Sequence, residues 1–264
     1  MKLAAVGSNC IDYYSNLEDG KAYPGGGPVN MAVYTVRLGG QAAYIGPIGD
    51  DEYGRLMRRA MMDKGVDTSH LHVEPGKTAV SQVELLDGER VFGDYDEGVL
   101  ESYILSDEDL DFICTHDVVV CDLWGKVEGS FEELKRRGIK TAFDCATRPE
   151  DEACQVAIPH TDYLFFSSDD GDTPALRDQM RGYQSRGPAL VIAMLGEHGS
   201  LCFDGQDFHK FGIVPCDKVV DTMGAGDSFV AGFLFGICEG LPIEQAMEKG
   251  AANATETLKY FGGW

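Results

Sequence analysis

From residue 117 onward, apolar runs of strand length alternate with stretches of helical length. Strands are expected at 117–123, 140–145, 163–167 and 189–195, with helices at 131–137 and 173–186 between them. Strands joined by helices in this way can form only a mostly parallel sheet with helices on both faces. The first part of the chain fits the same plan. Residues 2–7 read as a buried strand. Gly25-Gly26-Gly27-Pro28 opens a helix over 29–38 that Gly39-Gly40 stops, the usual punctuation of proline at the start and glycine after the end. A strand over 43–48 and a helix over 53–64 follow, and helices at 228–239 and 242–259 close the chain. Two hairpins interrupt the alternation. One joins 201–203 to 208–211 through Asp204-Gly205. The other centres on Asp87-Gly88 within residues 80–95, a strong short-range hairpin signal. Its two-residue turn sets Leu86 against Glu89, Leu85 against Arg90 and Val83 against Phe92. Strict alternation then gives one face with Val83, Leu85 and Phe92 and another with Gln82, Glu84, Val91 and Tyr95. The 264 residues make one α/β domain, 1–264.

Charge narrows the partners. There are 44 acidic residues against 22 basic ones, a net charge of −22, which opposes nucleic acid and anionic membrane surfaces. A phosphate-bearing ligand must therefore find positive potential locally, from a helix N-terminus or a divalent cation. Eight cysteines without a CxxC pair, several inside apolar runs, read as free buried thiols of a reducing compartment. The apolar run near residue 3 is too short for a signal peptide and no stretch has the length of a membrane span, so a cytoplasmic location is expected.

The most informative segment is Asp221-Thr222-Met223-Gly224-Ala225-Gly226-Asp227-Ser228-Phe229. Small residues leave backbone N–H groups bare at a helix start, a place for a transferring phosphoryl group. Asp227 stands where a carboxylate takes a proton from an attacking hydroxyl. By spacing alone, Asp227 reads equally as a helix cap. The segment resembles the C-terminal signature of the ribokinase-like (PfkB) carbohydrate kinases. Their N-terminal signature is matched by Gly25-Gly26, Asn30, Ala32, Leu38-Gly39 and Gly46-x-x-Gly49-Asp50-Asp51-x-x-Gly54.

That resemblance implies a three-layer α/β/α domain with a small β-sheet lid from about 8–23 and 78–98. It implies phosphoryl transfer from ATP with Mg²⁺ and leaves room for a monovalent cation. Asp227 is then the base, and Gly224, Ala225 and Gly226 the anion hole. Asp12, Gly25, Gly26 and Asn30 would contact substrate. Gly196, Glu197 and Gly199 would line the nucleotide site, although Met194 replaces the family's usual threonine, and Asn253 matches a position beside the adenosine. Ser167-Ser168-Asp169-Asp170 stands where relatives carry Asn-x-x-Glu, which leaves Asp170 as the metal-side carboxylate. Arg148 matches an arginine near substrate or phosphate.

Within the family the chain is similar to fructoselysine 6-kinases, through Gly7-x-Asn9-Cys10-x-Asp12, Gln82-Val83-Glu84-Leu85, the run from Arg90 to Val99, and Tyr260-Phe261-Gly262-Gly263-Trp264. The acceptor would be the 6-hydroxyl of fructoselysine or another fructosamine. Its cationic amine suits an acidic lid offering Glu84, Asp94 and Glu97, with Arg90 or Arg148 for a carboxylate. Gln82, Glu84 and Tyr95 are expected to face the substrate. Val83, Leu85 and Phe92 are expected to close a lid-to-lid homodimer. Other readings are a kinase for another ketose, a sugar acid or a nucleoside, or a catalytically silent sugar- or nucleotide-binding regulator.

Overall fold

A computed structural model describes every residue of the chain but 18, 87 and 88, and all side chains but that of residue 89 as well. The chain runs β1 (Lys2–Val6), β2 (Cys10–Tyr14), β3 (Lys21–Gly25), α1 (Gly27–Arg37), β4 (Gln41–Gly49), α2 (Glu52–Asp63), β5 (Leu71–Glu74), β6 (Val80–Leu86) and β7 (Glu89–Asp96). It continues through α3 (Asp107–Ile113), β8 (Val118–Asp122), α4 (Phe131–Arg137), β9 (Lys140–Asp144), α5 (Glu152–Ala157), β10 (Tyr163–Ser167), α6 (Pro174–Gln184) and β11 (Leu190–Met194). The hairpin β12 (Ser200–Phe203) and β13 (Phe208–Phe211) leads to α7 (Ala225–Cys238) and α8 (Ile243–Thr257).

Among the described residues, nine strands form one sheet in the order β13-β12-β11-β10-β9-β8-β1-β4-β5. Pairing is parallel except where β12 meets β11 and β13. The central strands are apolar through most of their length, with polar residues mainly at their ends, because both faces are covered. Leu3, Ala5, Val118 and Val120 turn toward α1, α2, α7 and α8. Ala4, Val6, Val119 and Cys121 turn toward α3, α4, α5 and α6. From β1 the chain winds to one side through β4 and β5 and later to the other through β8 to β11. The crevice outside the carboxyl ends of β1 and β8 is therefore the topological switch point, where ligands bind in open α/β sheets.

A second, four-stranded sheet in the order β3-β2-β6-β7 lies apart from the first. The register of β6 and β7 is the expected one, with Leu86 opposite Glu89, Leu85 opposite Arg90 and Val83 opposite Phe92; the Asp87-Gly88 turn itself lies outside the described residues. The facing differs from expectation. Ser81 and Val83 are buried while Gln82 and Glu84 are exposed, so Val83 looks inward; of the face expected to be open, Leu85 is half-buried and only Phe92, 60% exposed, stays so. Ser81 then pairs with Tyr95 rather than with residue 94. This β-bulge inserts one residue after Phe92 and returns Tyr95 to the inner face. Asp51 anchors the entry to this sheet. It caps α2 by accepting from the Gly54 N–H (2.8 Å) and accepts from the Thr78 hydroxyl (2.7 Å) and N–H (3.1 Å).

All eight cysteines are free. Cys121, Cys145, Cys154 and Cys202 are buried as expected, whereas Cys238, in the last turn of α7, is exposed.

Candidate active site

A cavity of about 510 Å³ opens at the switch point. Its floor is the first residues after β1, β8 and β9, and its roof is the inner face of the four-stranded sheet, from which Phe92, Gly93 and Tyr95 reach it. Four carboxylates line it: Asp12 on β2, Asp122 and Asp144 at the ends of β8 and β9, and Asp227 in the first turn of α7. α1 comes in close, and Gly27 makes this possible. A Cβ there would lie 2.6 Å from Asp122 Oδ2 and 3.4 Å from Asp227 Oδ1.

Asp12, Asp122 and Asp144 are buried and Asp227 is half-buried, and each has few protein donors. Asp122, 2% exposed, accepts from Ser8 Oγ (2.7 Å) and the Trp124 N–H (3.1 Å). Asp144 accepts from the Ala146 N–H (2.9 Å). Ala146 takes a left-handed conformation, φ 47°, unusual for a residue with a Cβ and a common mark of functional loops. Asp12 is approached by the Cys10 thiol at 3.6 Å. Asp227 Oδ2 accepts from Asn30 Nδ2 (2.7 Å). Burial raises all four above the ordinary carboxylate range: Asp12 and Asp227 to about 6, Asp122 to about 7 and Asp144 to about 8. The charge of Asp227 adds to the rise at the other three, and the Asn30 hydrogen bond holds Asp227 down. Four acids in one low-dielectric space hold protons that a bound cation would displace.

Behind Asp227 lies a second cavity of about 700 Å³. Gly196, Glu197 and Gly199 line it from the loop after β11, Ala225 and Gly226 from the start of α7, and Phe229, Ala251 and Leu258 from the two long helices. The two cavities meet at the N-terminus of α7. Gly224 caps that helix at φ 73°, and a Cβ there would collide with the Tyr34 hydroxyl. The position thus needs glycine for both conformation and space.

The acceptor-side cavity collects Asp12, Gly26, Asn30, Tyr95, Arg148 and Asp227 of the residues expected there. Gly25 lies just behind Asp12, where a Cβ would be 2.6 Å from Oδ2. Gln82 and Glu84 are not among the lining residues, because their strand turns them outward. Arg90 also lies elsewhere. Its guanidinium forms a two-point ion pair with Asp221, contacts the Tyr14 hydroxyl and stacks on Phe261 (5.1 Å). Asn253 is used within the fold as well: it donates to the Ser228 carbonyl (2.8 Å) and accepts from Arg37 (2.7 Å), while its neighbours Ala251 and Ala254 line the second cavity. Asp169 rather than Asp170 reaches that cavity. Among the described residues, no group of three or more His, Cys, Asp or Glu side chains is arranged to hold a metal ion.

Asp122, Asp144 and Trp124 were not anticipated from sequence. The signal was present in principle, since Asp122 and Asp144 each end an apolar strand of a parallel sheet, where ligand-binding residues collect.

Comparison with known proteins agrees with this geometry. The chain matches the description "pfkB family carbohydrate kinase" over residues 2–263. It is 44% identical to a fructoselysine 6-kinase of Shigella flexneri, over 99% of both chains. It is 30% identical to a fructosamine kinase of Bacillus subtilis, over 100% of this chain and 93% of the relative. Among solved structures it superposes on an Arabidopsis thaliana ribokinase complexed with ribose and ATP, with a TM-score of 0.87 at 24% identity over 99% and 93% of the two chains. Among the described residues, no helix is long and apolar enough to cross a membrane.

Proposed function

This chain belongs to the pfkB family of carbohydrate kinases, and within it we propose that it transfers the γ-phosphoryl group of ATP to the 6-hydroxyl of fructoselysine or a closely related fructosamine. The observation that carries the substrate class is the set of four carboxylates around one cavity, three of them buried and Asp227 half-buried. A fructosamine bears a secondary amine that is cationic at neutral pH, and a buried acidic pocket favours such a group over a neutral sugar. The same acids repel a sugar acid. The most similar relatives reported above carry a fructosamine-kinase name.

In this reading the cavity before Asp227 holds the sugar and the one behind it the nucleotide. Asp227, ionised above about pH 6, accepts the proton of the 6-hydroxyl. The oxygen forms a bond to the γ-phosphorus as the bond from phosphorus to the β,γ-bridging oxygen breaks, and ADP leaves with that electron pair. The N–H groups of Gly224 and Gly226, at the positive end of α7, offset charge on the phosphoryl oxygens, while that of Ala225 also donates to the Thr222 carbonyl (3.2 Å). Mg²⁺ commonly needs only one or two protein carboxylates beside nucleotide phosphates, and Asp169 would supply one; the ion would neutralise phosphate charge. Asp122 and Asp144 would meet the amine. Trp124, 39% exposed at the cavity, offers a surface for the lysine stem, and Arg148, 57% exposed beside it and ion-paired with Asp151, would exchange that partner for a substrate carboxylate.

A panel of acceptors tests this reading: fructoselysine, other fructosamines, fructose, ribose, 2-keto-3-deoxygluconate and adenosine, followed by ATP consumption. Fructoselysine should give the highest kcat/KM, because binding energy away from the reacting hydroxyl is used at it. Equal values for fructoselysine and fructose would remove the fructosamine assignment. The proposal includes a homodimer formed lid to lid, now through the outer face, where Leu86 and Val91 are exposed beside the free edge of β7. Val91→Asp should halve the mass in solution, and a wild type already monomeric at micromolar concentration would exclude the dimer.

A further inference from the structure

The segment after α8 returns to the site and touches it through three successive residues. The Gly262 N–H donates to Asp221 Oδ2 (2.7 Å), Tyr34 donates its hydroxyl proton to the Gly263 carbonyl, and Trp264 Nε1 donates to Asn30 Oδ1 (2.7 Å). Asn30 is buried, and its other amide atom, Nδ2, is the group that donates to Asp227. Gly263 leaves the room this needs, since a Cβ there would lie 3.2 Å from Asn30 Oδ1.

An asparagine amide has a donor end and an acceptor end that differ little in shape, so its environment decides which way it points. An indole N–H can only donate. It therefore accepts as partner the Oδ1 end alone and leaves Nδ2 for the carboxylate. We propose that Trp264 is a positioning residue for the reaction, fixing the Asn30 amide so that its donor end faces Asp227. Without the indole N–H, a turned amide would place Oδ1 against the carboxylate, and the base would lose its one side-chain donor among the described residues.

The consequence is a change in proton affinity at Asp227. Burial raises it and the Asn30 hydrogen bond opposes that rise. The other titratable and charged groups around it are Asp122 after β8, Asp144 after β9, Cys10 and Asp12 on β2, Tyr34 on α1 and Arg148 across the cavity. Replacing Trp264 alters none of them, so a difference between variant and wild type isolates the amide.

The inference rests on Asp227 being the base. The experiment is the pH dependence of kcat/KM for the sugar at saturating ATP, for wild type and Trp264→Phe, with the melting temperature beside it. The acid limb should move upward by about half to one pH unit. The variant then loses roughly three- to tenfold on the acid limb and stays within about twofold on the alkaline side. In an Asn30→Ala background, Trp264→Phe should add no further shift. A variant profile that superposes on the wild type overturns the inference, as does an equal loss at every pH, which would mark a merely structural role. Should Trp264→Phe fail to fold, Trp264→Leu, which also offers no donor to Asn30 Oδ1, is read by the same criteria. Asp227→Asn separates the two levels: turnover retained in it removes the base itself, whereas an inactive Asp227→Asn with an unshifted Trp264→Phe profile removes only the role of Trp264.

Discussion

The cavity behind Gly226 is walled by glycines, small residues and apolar side chains, among them Gly196, Gly199, Ala225, Gly226, Phe229 and Ala251. The cavity before Asp227 is built from charged side chains contributed by β2, the ends of β8 and β9, and the first turn of α7. The first presents backbone N–H groups and apolar surface, which suit a nucleotide base and phosphates. The second presents negative charge held out of water, which suits a cation and a proton transfer. One helix N-terminus serves both. The difference separates what is generic in such an enzyme from what selects its substrate, and each expectation below bears on one side and spares the other.

Asp227→Asn should have the largest effect. The substitution is nearly isosteric and keeps a partner for Asn30, so the fold and ATP affinity should survive. Loss of a positioned base typically costs about 10²–10⁴-fold in rate. Single-turnover kinetics with calorimetric ATP binding checks this. A variant retaining more than about a tenth of the wild-type kcat would mean that both cavities serve binding and neither supplies the base.

Arg90→Gln comes next. Arg90 stands on β7, the strand that supplies part of the acidic cavity's roof, without lining the cavity itself, and its partner Asp221 precedes the loop between the cavities; both side chains are under one-tenth exposed. Removing one partner of a buried pair leaves the other charge uncompensated, at about 3–5 kcal/mol. The melting temperature should fall by roughly 10 °C, and KM for the sugar should rise more than KM for ATP. Equal changes in both KM values would show that the roof and the nucleotide side behave as one unit.

How far the sequence reveals these two sides also differs. The cavity behind Gly226 and the start of α7 were legible because their residues are local: Gly196 to Gly199 and Gly224 to Asp227 are continuous stretches, and Gly196, Gly199, Ala225 and Gly226 line one cavity. The parallel sheet was legible from its apolar runs. The acidic cavity was legible only in part: Asp12 and Asp227 were expected through the family resemblance, Asp122 and Asp144 were not. Asp12, Asp122, Asp144 and Asp227 are scattered over more than 200 residues, and only the strand order brings them together. The face of β6 and β7 that turns inward depends on what lies beneath, and the bulge after Phe92 has no marker beyond Gly93. Arg90 and Asn253 carry groups suited to ligands, but partners 131 and 216 residues away occupy them.

Asp144→Asn and Asp122→Asn sharpen the comparison at moderate cost. A charge-assisted hydrogen bond contributes about 1.5–3 kcal/mol, so kcat/KM for fructoselysine should fall roughly 10- to 100-fold in at least one variant. The value for fructose should change much less, and KM for ATP not at all. Steady-state kinetics with the two sugars decides it. A parallel fall for both sugars would assign these carboxylates to the sugar ring or to the fold.

The smallest effect expected is on stability against pH, and its sign follows from burial. Asp12, Asp122, Asp144 and Asp227 all have folded-state values raised to about 6, 7, 8 and 6. An unfolded chain releases these protons near the ordinary carboxylate value of about 4. Between that value and about 8 the folded protein holds more protons than the unfolded one. Stability must then fall as pH rises through this window. Between pH 6 and 8 roughly one to two protons differ between the states, which corresponds to about 1.5–3 kcal/mol per pH unit. The empty enzyme should therefore melt several degrees higher at pH 6 than at pH 8. Asp144→Asn should flatten that slope, because it removes the acid with the highest value, whereas a substitution in the nucleotide cavity such as Ala251→Ser should leave it unchanged. Fructoselysine should flatten it too, by placing a cation among the acids, and fructose should not. Differential scanning calorimetry across pH, with and without each sugar, measures all four cases. A melting temperature that rises from pH 6 to 8 in the empty enzyme would show that the acidic cavity is not the strained side of the molecule.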